Sequence, residues 1–220
     1  MAIFLDGVDD TFSFGDVTSF DTPTNITYMF WGYHTSTLGN GADHEILNKG
    51  ASQLYCYVAT TNANNITAGV SGVSARSTAT GKWPNSTWTH IAITYDSGAG
   101  TRLVIYVNGV SETLSGTDPT FGDGGASGLG FSMGAALTRA SFTIANLKLW
   151  TVTLTAAAVA QEMNSYLPSR TANLLIWSPF DDGTSFKDYS GNGNNGTAGG
   201  GAASAAGPPI GINAPYTLIG

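Results

Sequence analysis

The stretch 88–114 constrains this chain more than any other. Its first part, Trp-Thr-His-Ile-Ala-Ile-Thr-Tyr-Asp, alternates with period 2: Thr89, Ile91, Ile93 and Tyr95 share one side, and His90, Ala92 and Thr94 the other. A Ser-Gly-Ala-Gly loop follows, after which Leu103, Ile105 and Val107 alternate with Val104 and Tyr106. Asn108-Gly109 turns the chain back, because both residues tolerate the positive φ of a type I′ hairpin turn. Three consecutive antiparallel strands are expected, with Ile91, Ile93, Leu103, Ile105 and Val107 in the core.

The rest of the chain repeats this theme at short spacing. Residues 2–14 read as a hairpin around Asp6-Gly7-Val8-Asp9-Asp10, and 25–33 as a long strand. Segments 45–49 and 53–60 form another hairpin around Gly50-Ala51-Ser52; 65–70 is a short strand, and 76–87 a loop holding Trp83-Pro84. Beyond a Gly- and Asp-rich loop at 115–127, strands are expected at 129–133, 142–150 and 173–180. The single helix candidate is 155–166, where Thr155 caps an Ala-rich run and Pro168 stops it. About a dozen strands around one helix predict an all-β sandwich or barrel, and no repeat period suggests a propeller or solenoid.

Composition narrows the partners. Hydrophobic residues are 42% and charged residues only 10%, with a net charge of −7. No basic run exists to hold nucleic acid or an anionic membrane, and no apolar run has the length of a membrane span. The stretch Met1-Ala-Ile-Phe-Leu-Asp6 lacks the basic and long apolar regions of a Sec signal peptide. The expectation is a protein that works where it is made or leaves the cell by particle assembly and lysis. Cys56 is the one cysteine, so neither an intrachain disulfide nor a thiolate metal site is expected, and a buried thiol is.

Several motifs together resemble one family. Leu5-Asp6-Gly7-Val8-Asp9-Asp10 is similar to the opening "FDGxDDY" of laminin-G-like domains in the concanavalin A-like lectin/glucanase superfamily. The strand from Ile26 to Trp31, the run Ile46-Leu47-Asn48-Lys49-Gly50, the strand pair beginning at Trp88 and the strand and helix from Phe142 to Gln161 resemble its later motifs. Residues 173–197, with Trp177-Ser178-Pro179-Phe180-Asp181 and Asp188-Tyr189-Ser190-Gly191-Asn192-Gly193-Asn194, resemble a segment that usually comes before the "FDG" hairpin. The resemblance covers roughly residues 2–197 and implies a two-sheet antiparallel jelly roll with one short helix. The late position of the last segment reads either as a circular permutation, which neighbouring termini favour, or as the start of a truncated second repeat. A domain over 1–198 and a Gly/Ala/Pro-rich C-terminal arm over 199–220 are expected. Ala145-Asn146 departs from the family, which usually carries acidic residues there.

No catalytic constellation accompanies these motifs. Superfamily glycosidases set carboxylates at i and i+2 on a strand face; Asp43 and Glu45 have the spacing but lie at a loop edge without a third carboxylate. His90 occupies an ordinary strand position, and zinc would need converging ligands that are absent. Calcium is the one cofactor with a motif: Asp188-x-Ser190-x-Asn192-Gly193 repeats the first half of an EF-hand loop, but the twelfth position is Gly199 rather than Glu. An Asx-rich turn is the stronger reading there, and a structural turn the stronger one at Asp6–Asp10. No catalytic or metal residue is therefore assigned. Trp83 and Tyr33 beside His34 are possible platforms for sugar rings.

The expected function is non-enzymatic: a structural or decoration protein of an assembled particle such as a bacteriophage or virus capsid, tail or fibre, with possible glycan adhesion. Its partners would be other particle subunits reached through the C-terminal arm, and its location the virion surface. A secreted or surface carbohydrate-binding lectin-like module, hence extracellular, is the alternative. The core assignment is directly testable: Ile93→Ala should cost about 2–5 kcal/mol in a urea titration if the site is fully buried.

Overall fold

Ile91, Ile93, Leu103 and Ile105 are wholly buried and Val107 nearly so, all in one core, as their alternation requires. The computed structural model describes residues 1–36, 38, 44–49, 54–58, 64–70, 73–122, 129–131, 141–180 and 186–210. Among them are sixteen strands in two eight-stranded antiparallel sheets that face each other across this core.

The first sheet holds β1 (Ala2–Leu5), β3 (Asn25–Tyr33), β8 (Thr89–Asp96), β9 (Leu103–Val107) and β10 (Val110–Ser111). It is completed by β13 (Phe142–Trp150), β14 (Leu174–Ser178) and β16 (Ala203–Ala205). Its order is β10-β9-β8-β3-β13-β1-β16, with β14 also paired to β13. The second sheet has the order β11-β7-β6-β5-β4-β12-β2-β15. Those strands are β2 (Thr11–Ser13), β4 (His44–Lys49), β5 (Leu54–Val58), β6 (Thr67–Val70), β7 (Ser74–Ser77), β11 (Ser115–Gly116), β12 (Leu129–Phe131) and β15 (Thr197–Gly199). The turn between β9 and β10 has Asn108 at φ +49° and Gly109 at φ +78°, the conformation that its sequence predicts.

Three segments differ from their sequence reading. Residues 2–14 are not a hairpin: β1 pairs with β13 and β16 in one sheet, and β2 with β12 and β15 in the other. The Asp-rich turn crosses between sheets, with the Asp10 carboxylate accepting the Asp6 N–H at 2.8 Å and Asp6 accepting from Val8 at 2.7 Å. The loop expected at 76–87 begins with strand β7, whose Ser-Ala-Arg-Ser sequence has no apolar alternation and is held by pairing to β6 and β11. The stretch beyond Gly199, expected as an arm off the domain, lies on the sandwich at first: β15 pairs with β2, and β16 pairs with β1. Its Gly, Ala and Ser residues offer no periodic apolar signal, and strand pairing, the Asp10 carboxylate on Gly201 and the packing of Ala202 on the core place them. The Tyr216, Leu218 and Ile219 portion of the expected arm lies outside the described residues.

Strand β13 carries the feature that shapes the outer side of the first sheet. Its pairing with β3 slips between Ala145 and Lys148, and Asn146 there adopts φ +48°. This bulge inserts one extra residue. Without it, a period of 2 would put Leu147 and Leu149 outward with Ala145; with it, both enter the core, and Lys148 and Trp150 point out. The helix α1 (Ala156–Met163) packs over those outward residues. Thr155 caps it, accepting the Ala158 N–H at 3.3 Å, and Val159 joins Met29, Ala92, Tyr106, Trp150, Leu154 and Leu174 in a second buried cluster.

The helix is also tied down by charge. Lys148 and Glu162, both almost wholly buried, meet at 2.8 Å, and the ammonium also donates to the carbonyls of Glu162 and Ser165. The other Glu162 oxygen accepts from Ser169 Oγ and the Arg170 N–H. Burial pushes the Lys148 pKa down, and Glu162 holds it up against that. With every group of the pair bonded, removing one partner is the costly change. Lys148→Met should destabilise by about 3–5 kcal/mol, and adding Glu162→Met should recover part of it, read from urea midpoints of the three variants.

Candidate functional site

The helix packs on the outer side of the first sheet around Met29, Ala92, Tyr106 and Trp150. Away from it, strand register lines up side chains in rows. Phe4 pairs with Thr143, and Thr143 with Tyr33; Tyr33 in turn stacks on Trp88, ring centroids 5.5 Å apart at 43°. In the next row Ala145 pairs with Trp31, and Trp31 with His90.

The first row lines a shallow cavity of about 180 Å³. Phe4, 37% exposed, and half-buried Tyr33 supply its aromatic surface, while Thr35, Ser141 and Thr143 supply hydroxyls. His34 also lines it, but its imidazole is committed to the carbonyls of Ser36 at 2.7 Å and Trp83 at 3.0 Å. Those bonds fix the loop after β3 and with it the end of the platform.

A second cavity of about 150 Å³ lies further along β13, lined by Ala145, Asn146, Tyr166, Pro179, Pro208 and Ile210. Asn146 accepts from Trp177 Nε1 at 3.0 Å and donates to the Ser165 carbonyl at 3.2 Å. Trp177 is flanked by Tyr166, edge-on at 6.1 Å, and by Tyr189 at 5.8 Å.

Of the two platforms expected from sequence, only Tyr33 reaches the surface. Trp83 is wholly buried, because Gly32 leaves the space it fills: a Cβ on Gly32 would sit 2.3 Å from Trp83 Cζ2. Phe4, Trp88, Tyr166 and Trp177 were not singled out as surface aromatics. Phe4 sits at the outward phase of β1 and Trp88 immediately before β8, but which strands lie side by side is set by register, which sequence alone leaves open. Asp43 and the side chains of Glu45 and Cys56 lie outside the described residues.

The calcium-like motif is a closed turn. Asp188 accepts from the N–H groups of Trp177, Ser190 and Asn194 and from Ser190 Oγ, at 2.8–3.1 Å. Asn192 and Asn194 turn their amide nitrogens to the Leu174 and Leu175 carbonyls. The carboxylates of Asp6, Asp9 and Asp10 lie within 4.8 Å of one another. Asp10 there also receives the Gly201 N–H, joining the turn to the C-terminal strands.

A family model, Laminin_G_3 of the concanavalin A-like lectin/glucanases superfamily, matches residues 6–160. No curated protein matches the sequence. Among solved structures, a Bacteroides ovatus protein proposed to bind carbohydrate superposes with a TM-score of 0.72 at 18% identity, over 96% of this chain and 61% of that one. The present chain thus spans about 61% of that protein's length. The binding domain of botulinum neurotoxin DC, solved with rat synaptotagmin II, superposes with a TM-score of 0.51 at 14% identity, over 79% of this chain and 40% of that one.

His90 gives the site's surroundings a pH dependence. It is buried against Trp31, ring centroids 5.3 Å apart. Burial, aided by the positive charge of Lys148, lowers its pKa to about 3. The unfolded chain takes up this proton near pH 6.5, whereas the folded chain refuses it until about pH 3. Stability is therefore full above pH 6.5 and falls across that window, by at most about 1.4 kcal/mol per pH unit from this group. Melting temperatures from pH 7 to pH 4 should fall less steeply in His90→Leu than in the parent.

Proposed function

Because the chain belongs to the concanavalin A-like lectin/glucanase superfamily, we propose that it is a carbohydrate-binding module whose sugar site is the cavity around Tyr33. The observation that carries this reading is a cavity in which two aromatic side chains flank a hydroxyl on paired strands. Half-buried Tyr33, braced by Trp88, and exposed Phe4 stand on either side of Thr143, and Thr35 and Ser141 also line the cavity. The apolar C–H face of a sugar ring packs on an aromatic side chain, and hydroxyls exchange hydrogen bonds with its edge. Strand pairing holds Tyr33 and Thr143 in place before any ligand arrives, so little ordering opposes binding. The likeness to a Bacteroides protein proposed to bind carbohydrate supports the same reading.

This reading is one of binding rather than hydrolysis. Glycoside hydrolysis requires two carboxylates across the scissile bond, and no Asp or Glu lines either cavity among the described residues. The turn at Asp188 favours its structural reading over calcium, since the carboxylate oxygens already accept four hydrogen bonds. A shallow site for one ring binds weakly, and display in many copies would raise its avidity. Presentation on a particle surface, with other subunits as partners, fits that need; its support is the composition of the chain. An extracellular or cell-surface setting follows more directly from the sugar site.

Tyr33→Ala should weaken binding to the best ligand on a glycan array at least tenfold while its circular dichroism spectrum stays that of the parent. Undiminished binding would move the site elsewhere, and EDTA should leave the parent's binding unchanged.

A further inference from the structure

The cavity around Asn146 is the second opening on the same side of the first sheet. Ser141 and Thr143 line one cavity, and Ala145 and Asn146 the other. They follow one another along β13, whose rise of about 3.3 Å per residue separates Ser141 from Asn146 by roughly 16 Å. One sugar ring cannot touch both ends of such a path. Half-buried Trp31 lies on the same side of β3 as Tyr33, opposite Ala145.

The second cavity also sets an aromatic ring beside a polar group, here an amide in place of the hydroxyls. Tyr166 forms an aromatic wall, backed by Trp177 and then Tyr189. Asn146 uses one of its two amide hydrogens on Ser165 and one of its two oxygen lone pairs on Trp177, which leaves one donor and one acceptor. This combination suits a sugar hydroxyl, which both gives and takes a hydrogen bond. No Lys, Arg, Asp or Glu lines either cavity among the described residues, and the net charge of −7 disfavours anionic ligands.

Resting on the sugar site at Tyr33, we propose that the two cavities are successive subsites for one uncharged oligosaccharide, laid along β13. Tyr33 anchors one end; Tyr166 and Asn146 hold the other. Chain length then governs affinity, because a short sugar fills the first cavity only.

Calorimetric titration with cello-, xylo- and manno-oligosaccharides of two to six residues tests this. In the best-bound series, affinity should rise at least tenfold from dimer to hexamer. Tyr166→Ala should abolish that gain and leave dimer binding unchanged, whereas Tyr33→Ala should weaken every length. The parent's Gly207 amide, beside the second cavity, should shift in NMR spectra with the hexamer and not with the dimer. Equal affinities at all lengths, or a normal length dependence in folded Tyr166→Ala, would overturn the two-subsite reading and leave the Tyr33 site standing. Preference for sulfated or sialylated chains of the same length would overturn the uncharged class, and failure of every series to bind would overturn both readings.

Discussion

A single inserted residue in β13 decides what each side of the first sheet is for. Up to Ala145 the strand alternates in one phase; after Asn146 it alternates in the other. The change of phase sends Leu147 and Leu149 into the core and frees Lys148 and Trp150 to receive the helix. Asn146 itself is left facing the groove with its side chain tied to Trp177 and Ser165. The core, the helix seat and the open aromatic surface therefore share one backbone irregularity. Such a bulge is a fixed element of the design rather than a defect.

Much of this was legible in the residues. The alternation from Thr89 to Val107 and the Asn108-Gly109 turn specify three strands through local chemistry, and Thr155 starts the helix in the same way, although it ends at Met163, capped by Asn164, before Pro168 is reached. What escaped was whatever depends on a partner distant in sequence. Asp6–Asp10 has the composition of a hairpin turn, and only the neighbours of β1 and β2 show that it crosses between sheets. Trp83 in a polar loop looks like a surface aromatic until Gly32, far back in the chain, opens a slot for it. The candidate site was half legible for the same reason: Tyr33 is conspicuous beside His34, whereas Phe4 and Thr143 join it through register alone.

The two parts of the outer side are built by different physics. Under the helix, a charge pair is shielded from water with its hydrogen-bonding groups engaged, which fixes where the helix sits more than how tightly. Beyond the helix, aromatic rings brace one another in pairs at the surface, with ordinary backbone pairing beneath. A rigid strand-borne platform of this kind leaves specificity to a handful of polar edges. The loops of the second sheet can then vary without disturbing it.

The closure of the turn at Asp10 has a consequence for how the molecule is made. Its carboxylate is completed by Gly201, 191 residues later, and β1 and β2 gain their outer neighbours only from β16 and β15. During synthesis these two strands wait, with edges unpaired, until the residues around Gly201 have emerged. Contacts of such long separation are slow to form, and a waiting strand edge is a template for the wrong neighbour. The short length of β1 and β2 and the acidic run between them lower that risk for the nascent chain, since little backbone is on offer and like charges keep crowded copies apart.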